Sequence, residues 1–274
     1  MPSAESLRPE DRAAAALAAL LMAARLGGEA ALADFRLGAP TSASVSYKHG
    51  DSPVTSADLA VDRALEPILR AAFPDAGWLS EETADDPDRL GRPRLVVLDP
   101  IDGTRAFMRG DPCWTVAIAL VEHGRPIAGV VHAPALQETF AASLGRGATL
   151  NGTKIRVAEF AALDGVRVAG PRGLIASFAA AAGFHPEPAP KSPSLAYRLA
   201  SVAAGRVEIG LASANSHDWD IAAADVILRE AGGGLVEGGV EVSYNQPGTR
   251  HDSLLAAPSA WLTRLNPALD GRRA

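Results

Sequence analysis

The sequence predicts an α/β (α+β) fold arranged as a layered sandwich, and three observations predict it. Two helix-length apolar stripes occupy the first 73 residues. From Arg94 to Val157 the apolar period shortens to that of strands, broken by tight turns. After residue 160, short strands and amphipathic helices alternate. The first two blocks predict an antiparallel sheet preceded by helices, residues 1–155, and the third a mixed sheet with its own helices, residues 156–274. Two subdomains of different sheet character place a site between them.

The first helix is expected from about Arg8 to Phe35, with Gly27-Gly28 weakening its middle. Its Ala13–Ala24 run is twelve apolar residues, short of the ~20 that a membrane span needs. Glu5, Glu10 and Asp11 are the wrong charges for a signal peptide, so a buried helix in a soluble, cytoplasmic protein with no membrane partner is expected. A second helix follows "SPVTSAD", capped by Thr55 or Ser56, and runs to about Phe73 with Leu59, Asp62, Leu65, Ile68 and Leu69 as a partly apolar stripe. "RLVVLD" is a short buried strand. "WTVAIALVEHGRPIAGVVHAP" gives two strands about His123-Gly124, "ETFAA" a third, and "GATLNGTKIRV" a further pair about Asn151-Gly152. In the second half "GVRVAG" is a strand and "GLIASFAAAAG" a helix stopped at Gly183. The Pro-rich connector "HPEPAPKSP", the helix "SLAYRLASVAAG" and the strand "RVEIGL" come next. A helix in "DWDIAAADVILREAGG" then buries Ile221, Ala224, Leu228 and Ala231.

Lys and Arg number 26 against 32 Asp and Glu, with no block of like charge, which argues against nucleic acid or an anionic membrane as the main partner. The single cysteine, Cys113, permits no intramolecular disulfide and suits a reducing compartment. Between Pro112 and Trp114 nothing lowers its pKa, so it reads as a buried filler.

The chemistry concentrates in "DPIDGT", Asp99 to Thr104. A carboxylate at the end of a buried strand is where such a sheet presents a ligand group. Pro100 is expected to end the strand and expose the Ile101 carbonyl, while Asp102 adds a second carboxylate beside the first. Like charges that close raise a pKa unless a cation lies between them. Gly103 leaves room for an anion, and a helix starting there offers unpaired N–H groups to a phosphate. Hard oxygens for Mg²⁺ thus stand beside amides for phosphate. The competing reading is a plain turn with a capping aspartate.

The companions of this stretch tip the balance: "GDSPVTSAD" upstream, "WLSEE" at 78–82 and "HDWDIAAAD" downstream. Together these segments resemble the inositol monophosphatase superfamily of Mg²⁺-dependent, lithium-sensitive phosphatases over nearly the whole chain. The resemblance implies a layered αβαβα sandwich of the sugar-phosphatase type, two or three Mg²⁺ ions, a small phosphorylated substrate attacked by water, and a homodimer. By position it implies that Glu81 binds metal and helps place the water. Asp99, the Ile101 carbonyl, Asp102 and Asp220 would hold the metals, and Asp58 with Thr104 would help activate the nucleophile. Asp102 and the amides of Gly103 and Thr104 would border the phosphate. On local grounds alone Thr55-x-x-Asp58 is a capping box, and Asp220 suits a helix start.

The substrate is less legible. Inositol-selective members carry Glu seven residues before the Trp-Asp aspartate, where this chain has Ser213. "TVAIALVEHGRPIAGVVHAP" and "PSLAYRLASVAAGRVEIG" resemble the 3′(2′),5′-bisphosphate nucleotidase branch, which implies the 3′-phosphate of adenosine 3′,5′-bisphosphate as substrate. Inositol 1-phosphate or another sugar phosphate is the alternative, and a non-catalytic regulatory protein on the same fold is a second. Arg172, Lys191, Arg198 and His217 are the cations available to a second phosphate, and Lys48-His49-Gly50 is a loop ahead of the Asp58 motif.

Overall fold

The computed structural model describes residues 8–48 and 52–269, so His49 and Gly50 of the expected loop lie outside the described residues. Helix α1 (Pro9–Leu32) runs unbroken through Gly27-Gly28, contrary to the weakening expected there. The glycines are points of close approach instead. A Cβ on Gly27 would stand 2.9 Å from Leu65 Cδ1, and one on Gly28 would stand 2.7 Å from the His132 ring. Close packing offsets their poor helix propensity. Helix α1 has 24 residues and an 18-residue stretch of mean hydropathy 1.5, long and apolar enough to cross a membrane, yet Ala13, Leu20, Ala23 and Ala24 are fully buried in the body of the protein.

The antiparallel pair β1 (Val45–Tyr47) and β2 (Pro53–Thr55) leads into α2 (Ser56–Ala72), which Thr55 caps. Then come β3 (Gly77–Ser80), β4 (Arg94–Asp102), α3 (Thr104–Arg109), β5 (Thr115–Glu122), β6 (Arg125–Ala133), β7 (Glu138–Ser143), β8 (Gly147–Leu150) and β9 (Thr153–Ile155). The seven strands lie side by side in chain order. From β4 to β9 the sheet is antiparallel as expected, but β3 joins β4 in parallel, with Ser80 opposite Leu98. That exception matters, because parallel strands end on the same side and Glu81 therefore emerges beside Asp99. The hairpin turns at His123-Gly124 and Asn151-Gly152 have positive φ at both residues, 49° and 76°, then 50° and 80°.

Both faces of this sheet are covered, which is why "LVVL" is uniformly apolar. Val96 and Leu98 pack with α1 and α2, whereas Leu95 and Val97 pack toward the middle of the molecule. The second half supplies β10 (Val168–Ala169), α4 (Arg172–Ala182), α5 (Leu195–Ala203), β11 (Ile209–Ala212), β12 (Ser216–His217) and α6 (Asp218–Glu230). It closes with β13 (Gly233–Glu237), β14 (Val240–Glu241), β15 (Arg250–His251), β16 (Leu254–Pro258) and α7 (Ser259–Leu269). A five-stranded sheet runs β10-β11-β16-β13-β14, parallel only at β10–β11, and β12 pairs with β15 apart from it. Helices α5 and α6 fill the space between the sheets, and α4 and α7 cover the outer face. The layers are α1/α2, sheet, α5/α6, sheet, α4/α7, the αβαβα order the resemblance implied.

Candidate active site

Strand β4 does not stop at Pro100. It continues to Asp102 through a bulge, with Asp99 opposite Ala117 and Asp102 opposite Thr115, so three steps on β4 meet two on β5. Proline lacks the N–H a ladder needs and is tolerated at a bulge. In a regular strand, residues three apart face opposite sides. The extra residue cancels that and turns Asp99 and Asp102 the same way.

Asp220 joins them from the first turn of α6, its carboxylate accepting the His217 N–H at 2.6 Å. One carboxylate oxygen from each of Asp99, Asp102 and Asp220 lies within 4.8 Å of the others. Glu81, Ile101, Gly103 and Thr104 line the same cleft of about 300 Å³. The hydrogen-bond partners of the three aspartates are neutral. Asp99 accepts from Ile101 N at 3.0 Å, and Asp102 from Ala196 N at 2.7 Å, Leu195 N at 3.2 Å and the Ser194 hydroxyl. Asp99 Oδ2 is buried with no hydrogen-bond partner.

Such a cage is costly without a counter-ion. Burial, then the charges of Glu81 and Asp102, push the Asp99 carboxyl well above the usual carboxylate range. Burial and Asp102 do the same to Asp220, and burial also raises Asp102 and Glu81. A cation removes both the repulsion and the orphaned Oδ2. The donors are carboxylates and a carbonyl, without thiolate or imidazole, and so fit a hard divalent ion of the Mg²⁺ kind.

Asp58 lies fully buried behind the cleft and does two jobs. Its Oδ2 accepts from Thr55 N at 2.8 Å and Thr55 Oγ1 at 2.5 Å, completing the capping box, while Oδ1 lies 3.2 Å from Thr104 Oγ1. The Thr104 hydroxyl also reaches the Ile101 carbonyl at 3.0 Å. Burial raises the Asp58 carboxyl to about 6. Lys48, the described member of the expected loop, donates to Glu81 Oε1 at 3.1 Å and Glu82 Oε1 at 2.8 Å.

The two substrate candidates are not among the residues lining the cleft. Ser213 is exposed just beyond β11. His217 stacks on Trp219 with ring centroids 4.4 Å apart, and its Nδ1 lies 2.9 Å from Thr249 Oγ1. Burial, then Arg250, lower its pKa, favouring the neutral ring. Sequence reasoning missed Ser194, the N-cap of α5, which accepts from Tyr197 N at 3.0 Å and donates to Asp102. The serine just before "LAYRL" was the available signal.

Residues 13–271 match the model of the inositol monophosphatase family. The chain belongs to that family. Membership carries its activity class, the metal-dependent hydrolysis of phosphate monoesters. A fructose-1,6-bisphosphatase/inositol-1-monophosphatase of Thermotoga maritima is 38% identical over 187 residues, 66% of this chain and 69% of that protein. A histidinol-phosphatase of Mycobacterium tuberculosis is 35% identical over 250 residues, 78% of this chain and 85% of that one. Among solved structures, the extragenic suppressor protein suhB of Bartonella henselae superposes with a TM-score of 0.79 at 27% identity, covering 93% of this chain and 98% of its own.

Proposed function

We propose that this family member hydrolyses the 3′-phosphate of adenosine 3′,5′-bisphosphate in a Mg²⁺-dependent reaction with water as nucleophile. The observation that carries the chemistry is the buried, unpartnered Asp99 Oδ2 inside a cage of three aspartates. When bound, two or three Mg²⁺ ions supply charge neutralisation at the phosphate, a more acidic water and stabilisation of the leaving oxygen. Asp99, Asp102, Asp220, the Ile101 carbonyl and Glu81 hold them. Glu81, just past the end of β3, orients the water, and the Gly103 and Thr104 amides in the same cleft bind the phosphate. Asp58 Oδ1 accepts the hydrogen bond of the Thr104 hydroxyl, which leaves Thr104 Oγ1 free to accept from the water. With its carboxyl raised to about 6, Asp58 is a base suited to near-neutral pH. Ser213 does not line the cleft, so the preference for a nucleotide over inositol rests on the resemblance of residues 115–134 and 193–210 to the nucleotidase branch.

The chain's relatives also include Nus factor SuhB of Haemophilus influenzae, 32% identical over 228 residues, which keeps a regulatory role in view. The intact carboxylate set favours catalysis, since a purely structural cage only destabilises. The test is phosphate release with Mg²⁺ from adenosine 3′,5′-bisphosphate, inositol 1-phosphate, fructose 1,6-bisphosphate and histidinol phosphate, with and without lithium. The bisphosphate nucleotide should be turned over best, and lithium should inhibit. Preference for another compound overturns the substrate, and no turnover of any overturns the catalytic reading.

A further inference from the structure

The buried face of α2 carries Ala57, Val61, Leu65 and Leu69, and among them two carboxylates, Asp58 and Asp62. One turn apart on a helix, the two share a face. Asp58 reaches Thr104 at 3.2 Å. Asp62, the acid in the otherwise apolar stripe of the sequence, reaches the other wall of the cleft. Its Oδ1 accepts from the Ser80 hydroxyl and its Oδ2 from the Thr83 hydroxyl at 3.0 Å. Ser80 ends β3, and together with Thr83 it brackets Glu81-Glu82 in the chain. Ser80 Oγ also accepts from Glu82 N at 3.3 Å, so one buried carboxylate closes the turn that carries Glu81. The opposite side of that turn is tied to β4, where Glu81 N donates to Leu98 O at 3.3 Å, the residue before Asp99.

Stability does not call for a carboxylate at position 62. Asp62 is buried, and among the described residues its hydrogen-bond partners are the two hydroxyls and no cation pairs with it. It also stands near other acids. Burial raises the Glu82 carboxyl, and the charges of Glu81 and Asp62 raise it further. An apolar side chain would extend the Val61, Leu65 and Leu69 packing and avoid both the repulsion and the burial of charge. A residue that breaks the local rule in this way, directly behind a ligand, is kept for geometry.

We infer that Asp62 is a positioning residue for Glu81, and that α2 is a two-armed brace for the attacking water. Asp58 sets Thr104, Asp62 sets the Glu81 turn, and the helix between them fixes the two groups relative to each other. Asp62 is not among the residues lining the cleft, so it acts through Ser80, Thr83 and the turn they close. Glu81 and Thr104 arrive on different elements, the end of β3 and the start of α3, and a displacement of about 1 Å between such groups costs about 100-fold in rate. This inference rests on the proposed placing of the water by Glu81 and Thr104.

The test uses the full chain with Mg²⁺ and whichever of the phosphate esters above the wild type cleaves fastest. In Asp62→Ala, kcat should fall by about 10- to 100-fold, the range for losing a group that holds a metal ligand, with KM for the ester held within about twofold. The Mg²⁺ concentration for half-maximal activity should rise, and the increase in melting temperature that Mg²⁺ gives the wild type should shrink. Asp62→Asn should stay within about fivefold of wild-type kcat, because its oxygen accepts from Ser80 and its amide donates to Thr83 Oγ1. Thr83→Val keeps the side-chain shape and removes one bond of the arm, so it decides the matter even if Asp62→Ala folds poorly; its kcat should fall by about fivefold. Leu69→Ala, fully buried on the same helix, is the control: the melting temperature should drop while the Mg²⁺ requirement stays unchanged. Wild-type kcat and Mg²⁺ dependence in Thr83→Val and in folded Asp62→Ala overturn the brace and leave the phosphatase reading standing. An equal rise in Mg²⁺ requirement in Leu69→Ala, or no recovery in Asp62→Asn, makes Asp62 a stabiliser of α2 and overturns the brace as well. If the wild type cleaves none of the esters, the phosphatase reading falls and takes the brace with it.

Discussion

Asp218 and Asp220 stand two residues apart at the start of α6, yet their carboxylates live in opposite surroundings. Asp218 Oδ1 lies 2.8 Å from His251 Nε2, and the other ring nitrogen lies 3.1 Å from Glu237 Oε2. A carboxylate on each ring nitrogen favours the doubly protonated ring, the imidazolium. Burial lowers its pKa, but the bonds to Asp218 and Glu237 outweigh burial and the net shift is upward. Asp220 instead faces Asp102, with burial and that charge both raising its carboxyl. One cluster is neutralised by the chain itself, and the other has the donor set to hold a cation from outside. Among the described residues no cation of the chain hydrogen-bonds the three aspartates, and Lys48 reaches only Glu81 and Glu82.

The sharpest way to break this comparison is Asp99→Asn. If the cage exists for metal, turnover with Mg²⁺ should fall by about 10³-fold, the upper range for losing one electrostatic group. Stability should move the other way. Asp99 has a raised carboxyl in the folded chain, so its contribution is present below the unfolded value and is lost as pH rises through the folded one. At neutral pH in EDTA the variant should therefore melt at or above the wild-type temperature, and Mg²⁺ should stabilise it less. Near-normal activity, or a clear drop in the metal-free melting temperature, would break the contrast.

His251→Gln tests the other side and should have the opposite sign. Removing the imidazolium leaves Asp218 buried without its cation, at a cost of about 3 kcal/mol. A raised histidine contributes stability that is fully present below its unfolded value of 6.5 and lost as pH rises through the folded one. The gap in melting temperature between wild type and variant should be widest below that value and close on the alkaline side. A gap independent of pH would mean the ring acts by packing alone.

The two clusters also differ in how far the sequence revealed them. "DPIDGT", "WLSEE" and "HDWD" are local strings, and their joint resemblance to a known family, rather than any spacing, pointed to Asp99, Asp102, Asp220 and Glu81 as one set. The bulge at Pro100 was not legible, since proline is as good a signal for stopping a strand as for bulging it. Nor was the parallel pairing of β3, whose four residues are too few to show a period. His251 and Asp218 are 33 residues apart and Glu237 pairs with Asp252 N as well, a geometry set by how β13, β15 and α6 pack rather than by any spacing. The cations Arg172, Lys191 and Arg198 were visible as residues, but their convergence on one cavity needed the Pro-rich connector in place.

Ser194→Ala probes the boundary between cage and scaffold and should have the smallest effect. The hydroxyl caps α5 through Tyr197 N at 3.0 Å and donates to Asp102 Oδ2, with Thr115 Oγ1 3.2 Å away. Loss of the cap should cost about 1 kcal/mol. Asp102 keeps its bonds from Ala196 N and Leu195 N, so it stays in place but less firmly held. Losing a group that orients a metal ligand weakens activity or metal affinity by about 10-fold or somewhat more. The Mg²⁺ concentration for half-maximal activity should rise in Ser194→Ala and be restored by Ser194→Thr, which retains the hydroxyl. An unchanged Mg²⁺ dependence with the same loss of stability would make Ser194 a helix cap only, and the cage would then end at its carboxylates.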